Sequence, residues 1–358
     1  MHQNRLDKLL KNMRDASIPQ LILSDPNAIF YLTGKWIHPG ERMLALYLNV
    51  SNQHLIFINE LFPVHEELGI DKVWFKDTDD PIQLLAQYIQ PHTTIGVDKS
   101  WPAMFLLDLM KYKKESTFVN GSSLIDTIRM TKDKHEIRLM REASKTNDFT
   151  MTGIINLISE HTTEKKMTQL VNNIYEELET EGPSFSPIIA YGANGADPHH
   201  SPDHSQLKKG DSIIIDIGCR MDSYCSDMTR TVFYRAVSPK AKEVYHIVKE
   251  ANRRAISAVK PGVKFCDIDS AARDYIESKG YGEYFTHRTG HSIGLEVHDY
   301  GDVSAINTDT VAPGMIFSIE PGIYLPGEFG VRIEDLVLVT KSGCEVLNQF
   351  SKDLQIVE

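Results

Sequence analysis

Asp216, Asp227, His291, Glu320 and Glu334 are the residues of this chain whose types and surroundings point to shared chemistry. Each lies in a short apolar or glycine-rich run: SIIIDIG (212–218), YCSDMTRTVFY (224–234), RTGHSIGLEVHD (288–299), MIFSIEPGIYL (315–325) and VRIEDLVLV (331–339). Such runs read as strands or strand edges that bury their side chains, where a lone carboxylate is heavily penalised by desolvation. Hydrogen bonding accounts for one buried carboxylate. Four of them with a histidine need a shared countercharge, and a pair of metal ions supplies it. The set is hard and oxygen-rich, suited to Mn, Co, Fe or Zn rather than to a soft thiolate site. It holds more carboxylates than one ion needs, which points to two ions with bridging ligands.

Asp216 and Asp227 flank DIGCRMDSYCSD, which reads as strand, turn and return strand. Facing side chains of a hairpin lie within about 5 Å, close enough to flank metals roughly 3.5–4 Å apart. Asx turns or helix capping are the plainer reading of either aspartate alone. His291, between Gly290 and Ser292, suits a place where backbone approaches a ligand closely. There is no H-E-x-x-H helix motif, so the pattern is not that of a zincin. Alternation through VRIEDLVLV puts Arg332 and Glu334 on one face. Arg332 then either steadies a metal carboxylate, meets a substrate carboxylate, or forms a plain ion pair.

These blocks carry a resemblance. DIG with a second aspartate in SDMTRT, then GHSIGLEVHD, SIEPGIY and VRIED, resemble the metal-binding blocks of the M24 "pita-bread" metallopeptidases, in order from about Thr131 to the end. NAIFYLTGKW (27–36) is similar, more weakly, to the creatinase-type N-terminal domain of the proline-specific branch. The resemblance implies an α+β chain: a pita-bread catalytic domain over 124–358 and a smaller α/β creatinase-type domain over 1–123. It implies a dinuclear metal centre, manganese first and cobalt, zinc or iron as alternatives, with a bridging hydroxide as nucleophile. Within it His199, which follows Pro198, matches a substrate-facing histidine. His298 matches the one contacting the scissile carbonyl, and His287 one near the departing product. Glu320 becomes the general base and proton shuttle, and Arg332 a substrate contact. His200 and His204 match nothing and read as surface residues.

The implied activity is that of an Xaa-Pro dipeptidase (prolidase), acting on small peptides with proline second, as a homodimer. Aminopeptidase P, releasing the first residue of longer Xaa-Pro peptides, is the near alternative, and a non-catalytic peptide-binding scaffold the remote one. Two departures bear on the choice: Asp299 stands where many prolidases have glutamate, and Asp302 where some place an arginine.

Composition narrows the class. Apolar residues make up 41% and charged residues 24% of 358 positions, the balance of an ordinary two-domain globular chain. A net charge of −11 disfavours nucleic acid, since phosphates need neutralising cations. The four cysteines have no metal-type or disulfide-framework spacing. No run reaches the roughly 20 apolar residues that span a bilayer, and MHQNRLDKLLKNMRD lacks the apolar core of a signal peptide. A cytoplasmic setting without a membrane partner is expected.

Elements must position these residues. Residues 1–15 read as a helix buried through Leu6, Leu9, Leu10 and Met13, followed by strand-like runs at 21–24, 44–50, 54–58 and 94–98 and helices near 81–90 and 102–112. A long helix spans about 134–159. Ser238-Pro239 opens another, which Lys260-Pro261-Gly262 closes, and a further helix covers about 267–279. Helices backing a curved, mainly antiparallel sheet are the expected arrangement of the second domain.

Overall fold

The spacing of Leu6, Leu9, Leu10 and Met13 is realised in helix α1 (Gln3–Asp15), where all four side chains are buried. In the computed structural model, which describes residues 1–358, the chain separates into two units, Met1–Ile128 and Arg129–Glu358. The boundary expected at residues 123/124 falls within helix α5 (Ser122–Met130).

The first unit is built on a six-stranded sheet. Its strands are β1 (Gln20–Leu23), β2 (Ala45–Asn49), β3 (Leu55–Asn59), β4 (Asp71–Phe75), β5 (Thr94–Val97) and β6 (Thr117–Asn120), in the order β4-β3-β2-β1-β5-β6. Strand β1 is antiparallel to β2 and parallel to β5. Helices α2 (Pro26–Thr33), α3 (Pro81–Ala86) and α4 (Ala103–Tyr112) connect the strands. The NAIFYLTG block is helix α2 with a cap at each end. Asp25 accepts from the Asn27 and Ala28 amides, Pro26 starts the helix, and Gly34 stops it at φ 73°. Only a residue without Cβ adopts that stop at no cost.

The second unit opens with α6 (Lys134–Asn156), started by a capping box in which Asp133 and Glu136 satisfy each other's backbone amides. Then come α7 (Glu164–Glu177), β7 (Ile188–Tyr191), β8 (Ser212–Ile217), a short arm of β9 (Arg220–Met221) and β10 (Tyr224–Cys225), and β11 (Met228–Tyr234). Helices α8 (Pro239–Ala258) and α9 (Phe265–Ser278) precede β12 (Gly290–His291), β13 (Asp302–Val303), β14 (Ile316–Ile319), β15 (Gly322–Leu325), β16 (Phe329–Arg332), β17 (Asp335–Val339), β18 (Cys344–Val346) and β19 (Ile356–Val357). Pairing is antiparallel throughout this unit except between β11 and β19.

Two helix pairs back the sheets with separate cores. Met151, Ile154, Met167 and Val171 of α6 and α7 pack on Ile213, Ile215 and Ile217 of β8. Val244, Val248, Ile268 and Ala272 of α8 and α9 pack on Phe317, Ile319, Ile323 and Val331. Each half also carries one buried asparagine that ties helix to strand. Asn147 Nδ2 donates to the Ile217 carbonyl at 2.8 Å. Asn252 Nδ2 donates to the carbonyls of Ile319 at 2.9 Å and Ile333 at 3.3 Å. These carbonyls adjoin Asp216, Glu320 and Glu334. Because strand side chains alternate, β8 sends Ile213, Ile215 and Ile217 toward its helices and Asp216 to the opposite face.

Two local expectations need correcting. Asp216 and Asp227 do not face each other across a plain hairpin. The β9–β10 arm, turning through Asp222 (φ 46°) and Ser223 (φ 72°), intervenes, Asp216 pairs with Thr229, and Asp227 lies just before β11. VRIEDLVLV is not one strand either: β16 ends at Arg332 and β17 begins at Asp335, leaving Glu334 in the break.

Candidate metal centre

A cavity of about 690 Å³ opens in the second unit, and the nine site residues expected from sequence all line it: Asp216, Asp227, His291, Glu320, Glu334, His298, His199, His287 and Arg332. Strand ends and strand breaks deliver the acidic ones, where side chains leave the sheet while the backbone stays paired. Gly290 lets β12 lie against β14, because a side-chain carbon there would overlap the Ser318 carbonyl. Beside it the His291 amide donates to Ser318 Oγ at 3.0 Å.

The His291 ring is oriented for coordination. Its Nδ1 lies 3.2 Å from the Ser292 carbonyl, which only accepts, so Nδ1 carries the proton and the Nε2 lone pair faces the acids. Nε2 is 3.4 Å from Glu320 Oε1 and 3.6 Å from Asp227 Oδ2. Burial holds this imidazole down at about 3, so it stays neutral. Asp227, His291 and Glu334 each offer a ligand atom within 4.8 Å of the others.

The carboxylates are short of partners. Asp216 Oδ1, Asp227 Oδ1 and Glu334 Oε1 are buried and accept no hydrogen bond. Burial, reinforced by the neighbouring acids, pushes the Asp227 and Glu334 carboxyls well above the carboxylate range. Burial lifts Glu320 to about 7 despite the opposing charge of Arg332. Orphaned buried oxygens are rare and costly, and like-charged carboxylates this close resist ionisation. Divalent cations remove both penalties, so the donor set fits such ions.

The other oxygens are held by a chain of donors. Arg332 Nη2 donates to Asp216 Oδ2 at 2.6 Å, Nε to Thr229 Oγ1 at 3.1 Å and Nη1 to the Tyr324 hydroxyl at 2.9 Å. Thr229 Oγ1 donates onward to Glu334 Oε2 at 2.8 Å. Of the roles read for Arg332 from sequence, the contact present is with a site carboxylate. His287 Nδ1 donates to the Arg288 carbonyl at 2.7 Å, so Nε2, 2.8 Å from the Tyr324 hydroxyl, accepts. Burial draws His287 down to about 4, leaving it neutral.

His298 meets His291 edge to face, 4.2 Å between centroids, and burial lowers its pKa. The next residue, Asp299, anchors this loop: it accepts from Arg129 at 2.6 Å, and Lys132 Nζ lies 3.8 Å away. Asp302 instead accepts from Ser304 Oγ at 2.9 Å and does not line the cavity. His199 is exposed on the loop after β7, its amide bonded to Asp197 Oδ1 at 3.0 Å. His204 is exposed, as expected. His200 is not a plain surface residue, since its Nε2 lies 2.7 Å from Glu164 Oε2, a contact spanning 36 positions that local patterning does not reveal.

Arg288, Thr229, Tyr324, Asn147 and Asn252 were not singled out from sequence. Arg288 left a signal in HRTGH, a cation between two candidate histidines. The others act through contacts distant in sequence.

Comparison with known proteins follows the same lines. Residues 138–341 match the model of metallopeptidase family M24, and residues 5–131 that of the creatinase/prolidase N-terminal domain. The putative dipeptidase YkvY of Bacillus subtilis is 33% identical over 99% of this chain and 100% of its own length. The crystal structure of a prolidase from Thermococcus sibiricus superposes with a TM-score of 0.94 at 32% identity, covering 100% of this chain and 99% of that one. A dipeptidase from Pyrococcus horikoshii OT3 gives 0.93 at 34% identity, covering 99% and 100%. With its catalytic blocks matched across more than half its length and its fold shared end to end, this chain belongs to metallopeptidase family M24.

Proposed function

We propose that this chain hydrolyses Xaa-Pro dipeptides with two divalent ions held by Asp216, Asp227, His291, Glu320 and Glu334. One observation carries the reading: three unsatisfied buried carboxylate oxygens and an imidazole lone pair converge on one cavity. The end-to-end similarity to a prolidase and a dipeptidase supports the substrate class. Manganese is the first ion to test, with cobalt, zinc and iron after it.

Divalent ions held by this set would supply Lewis acidity to a peptide carbonyl and bring the pKa of a water toward neutrality. The chain's own residues do the rest. Glu320 takes the proton of the attacking water and passes it to the leaving nitrogen. Its side chain keeps 16% exposure to the cavity, and Ser318 Oγ donates to it at 3.1 Å. To accept that proton Glu320 must be ionised, which the charge of a bound cation would favour against burial. His298, neutral and steadied by the Asp299 loop, donates to the carbonyl oxygen as charge develops there. His199, on the loop after β7, orients the scissile bond. Arg332 holds Asp216 in place, and His287 supports Arg332 through Tyr324.

Proline has no amide proton, so docking it as an extended strand loses a hydrogen bond, and a pocket suits it better than a groove. Phe185, Ile188 and Val297 provide an apolar wall for its ring. A homodimer acting in a reducing, cytoplasmic setting completes the reading, and four unpaired cysteines accord with that compartment. No helix is long and apolar enough to cross a membrane.

Product analysis on Leu-Pro against Leu-Pro-Gly, with Mn²⁺ supplied, tests the assignment. Faster cleavage of the dipeptide is expected. Preference for the tripeptide replaces it with aminopeptidase P activity.

A further inference from the structure

A dipeptidase must recognise a free carboxylate directly after proline, which calls for a cation or several donors beside the ring. With His291 set toward the acids and His199 and His298 assigned to the scissile bond above, the cavity wall leaves Arg332, His287 and Arg288 by residue type. Arg332 is engaged, with Nε on Thr229, Nη1 on Tyr324 and Nη2 on Asp216. Drawing it to substrate would strip the Asp216 carboxylate, whose other oxygen is already unsatisfied. His287 is closed as well. Its Nδ1 proton is spent on the Arg288 carbonyl and its Nε2 accepts from Tyr324, so the neutral ring has no donor left for an anion.

Arg288 differs. Its guanidinium makes no hydrogen bond or ion pair within the protein, and the residue is half-buried in the cavity wall. It lines the same cavity as His291, His298 and Glu320, beside the reacting groups. The backbone that carries it is fixed on both sides. Arg273 Nη2 donates to the His287 carbonyl at 2.8 Å, the Thr289 amide to Val303 at 2.8 Å, and Thr289 Oγ1 to Asp269 Oδ1 at 2.6 Å. A rigidly mounted, half-desolvated guanidinium with five free donors suits a planar carboxylate bound through two parallel hydrogen bonds.

We propose that Arg288 binds the substrate's free C-terminal carboxylate and so selects dipeptides over longer peptides. The proposal rests on the Xaa-Pro dipeptidase reading above. It also places the anchor three positions before His291, where Asp302 offers no cation.

The test uses the metal-loaded full chain with Arg288→Ala, Arg288→Gln and Arg288→Lys, on Leu-Pro, its C-terminal amide and Asp-Pro. A lost charge-assisted bond predicts a KM for Leu-Pro raised about tenfold or more in the alanine and glutamine variants, with a much smaller change in kcat. Amidation should raise the wild-type KM by a similar factor and add little in those two variants. Lysine should restore part of the loss, because it keeps the charge without the fork. Unchanged metal content and melting temperature exclude a general structural effect. Equal losses on acid and amide overturn the proposal. So does a loss confined to Asp-Pro, which would assign Arg288 to the side chain of an acidic first residue. If wild-type enzyme ignores Leu-Pro and cuts Leu-Pro-Gly, the dipeptidase reading falls and the assignment with it. If wild type cuts Leu-Pro but the variants do not distinguish acid from amide, only the Arg288 assignment falls.

Discussion

Two groups of histidine and acidic residues in this chain have ligand atoms gathered closely enough to grip a cation. Asp227, His291 and Glu334 form one, and Glu164, His200 and Asp203 the other, each within 4.8 Å. Their hydrogen bonding separates them. Glu164 is filled: Oε1 accepts from the Tyr191 amide at 2.8 Å and Asn194 Nδ2 at 2.9 Å, while Oε2 accepts from His200 at 2.7 Å and the Asp203 amide at 2.9 Å. In the first group Asp227 and Glu334 each keep a buried oxygen with no donor, as does neighbouring Asp216. A carboxylate with four donors is a structural tie, and a buried one with an empty lone pair awaits a countercharge. Residue type and proximity do not tell the two apart. Satisfaction of acceptors does.

The largest effects test the unsatisfied group. Asp227→Asn and Glu334→Gln should each lose metal by elemental analysis, and turnover with it. Glu320→Gln should cost about 10²–10⁴ in kcat through loss of the base, beyond any loss of metal. Full turnover in chelated protein free of metal would break the contrast between the groups outright. Next in size is His298→Ala. It should keep its metal and lose about 10²–10³ in kcat, the range for one donor to a developing oxyanion. Loss of metal in this variant would place His298 among the ligands.

How much of this was legible in sequence follows from the distance over which each contact acts. The five acidic and imidazole residues sit in contiguous apolar blocks, and all line one cavity. The cap-then-proline start of α8 and the stripe of α1 are local signals and appear in the structure. The arm between Asp216 and Asp227 was not legible, because its turn depends on left-handed backbone at Asp222 and Ser223, neither of them glycine. The break at Glu334 was hidden because alternation through VRIEDLVLV reads as one strand. Asn252 reaches Ile319 across 67 positions, and Tyr224 reaches Glu136 across 88. No periodicity within one element carries such pairings.

A smaller effect is the pH response of metal-free protein. Burial and mutual repulsion raise Asp227 and Glu334 and put Glu320 at about 7, so the folded state holds protons the unfolded state has released. Stability from these groups is fully present below the ordinary carboxylate pKa values and declines as pH rises, the Glu320 share being lost through about 7. The histidines act the other way: His291 at about 3 and His287 at about 4 cost stability as pH falls below the ordinary histidine value of 6.5. Above that value only the carboxylate effect remains. Chelated protein should therefore melt at a lower temperature at pH 8 than at pH 6.5. Bound metal, which needs the carboxylates ionised, should narrow or reverse the difference. A melting temperature of chelated protein that is flat or rising across this window would mean the acids are paired by other means.

The smallest effect sharpens the other side of the comparison. Glu164 opens helix α7 and ties the loop bearing His199 through Tyr191, Asn194, His200 and Asp203. Glu164→Gln keeps the volume but replaces one acceptor oxygen with an amide that cannot receive a backbone N–H. Leaving such a donor unmet costs about 1–3 kcal/mol, which for a unit of this size lowers the melting temperature by several degrees, at about 2–4 °C per kcal/mol. Metal content should be unchanged, since no oxygen of Glu164 is open to a cation. The loss in kcat/KM should be modest, because His199 is displaced rather than removed, and a His199→Ala change on top should add less than it does alone. Thermal melting, elemental analysis and the double-mutant cycle measure the three separately. Reduced metal content in Glu164→Gln would show that hydrogen-bond satisfaction does not separate the two groups.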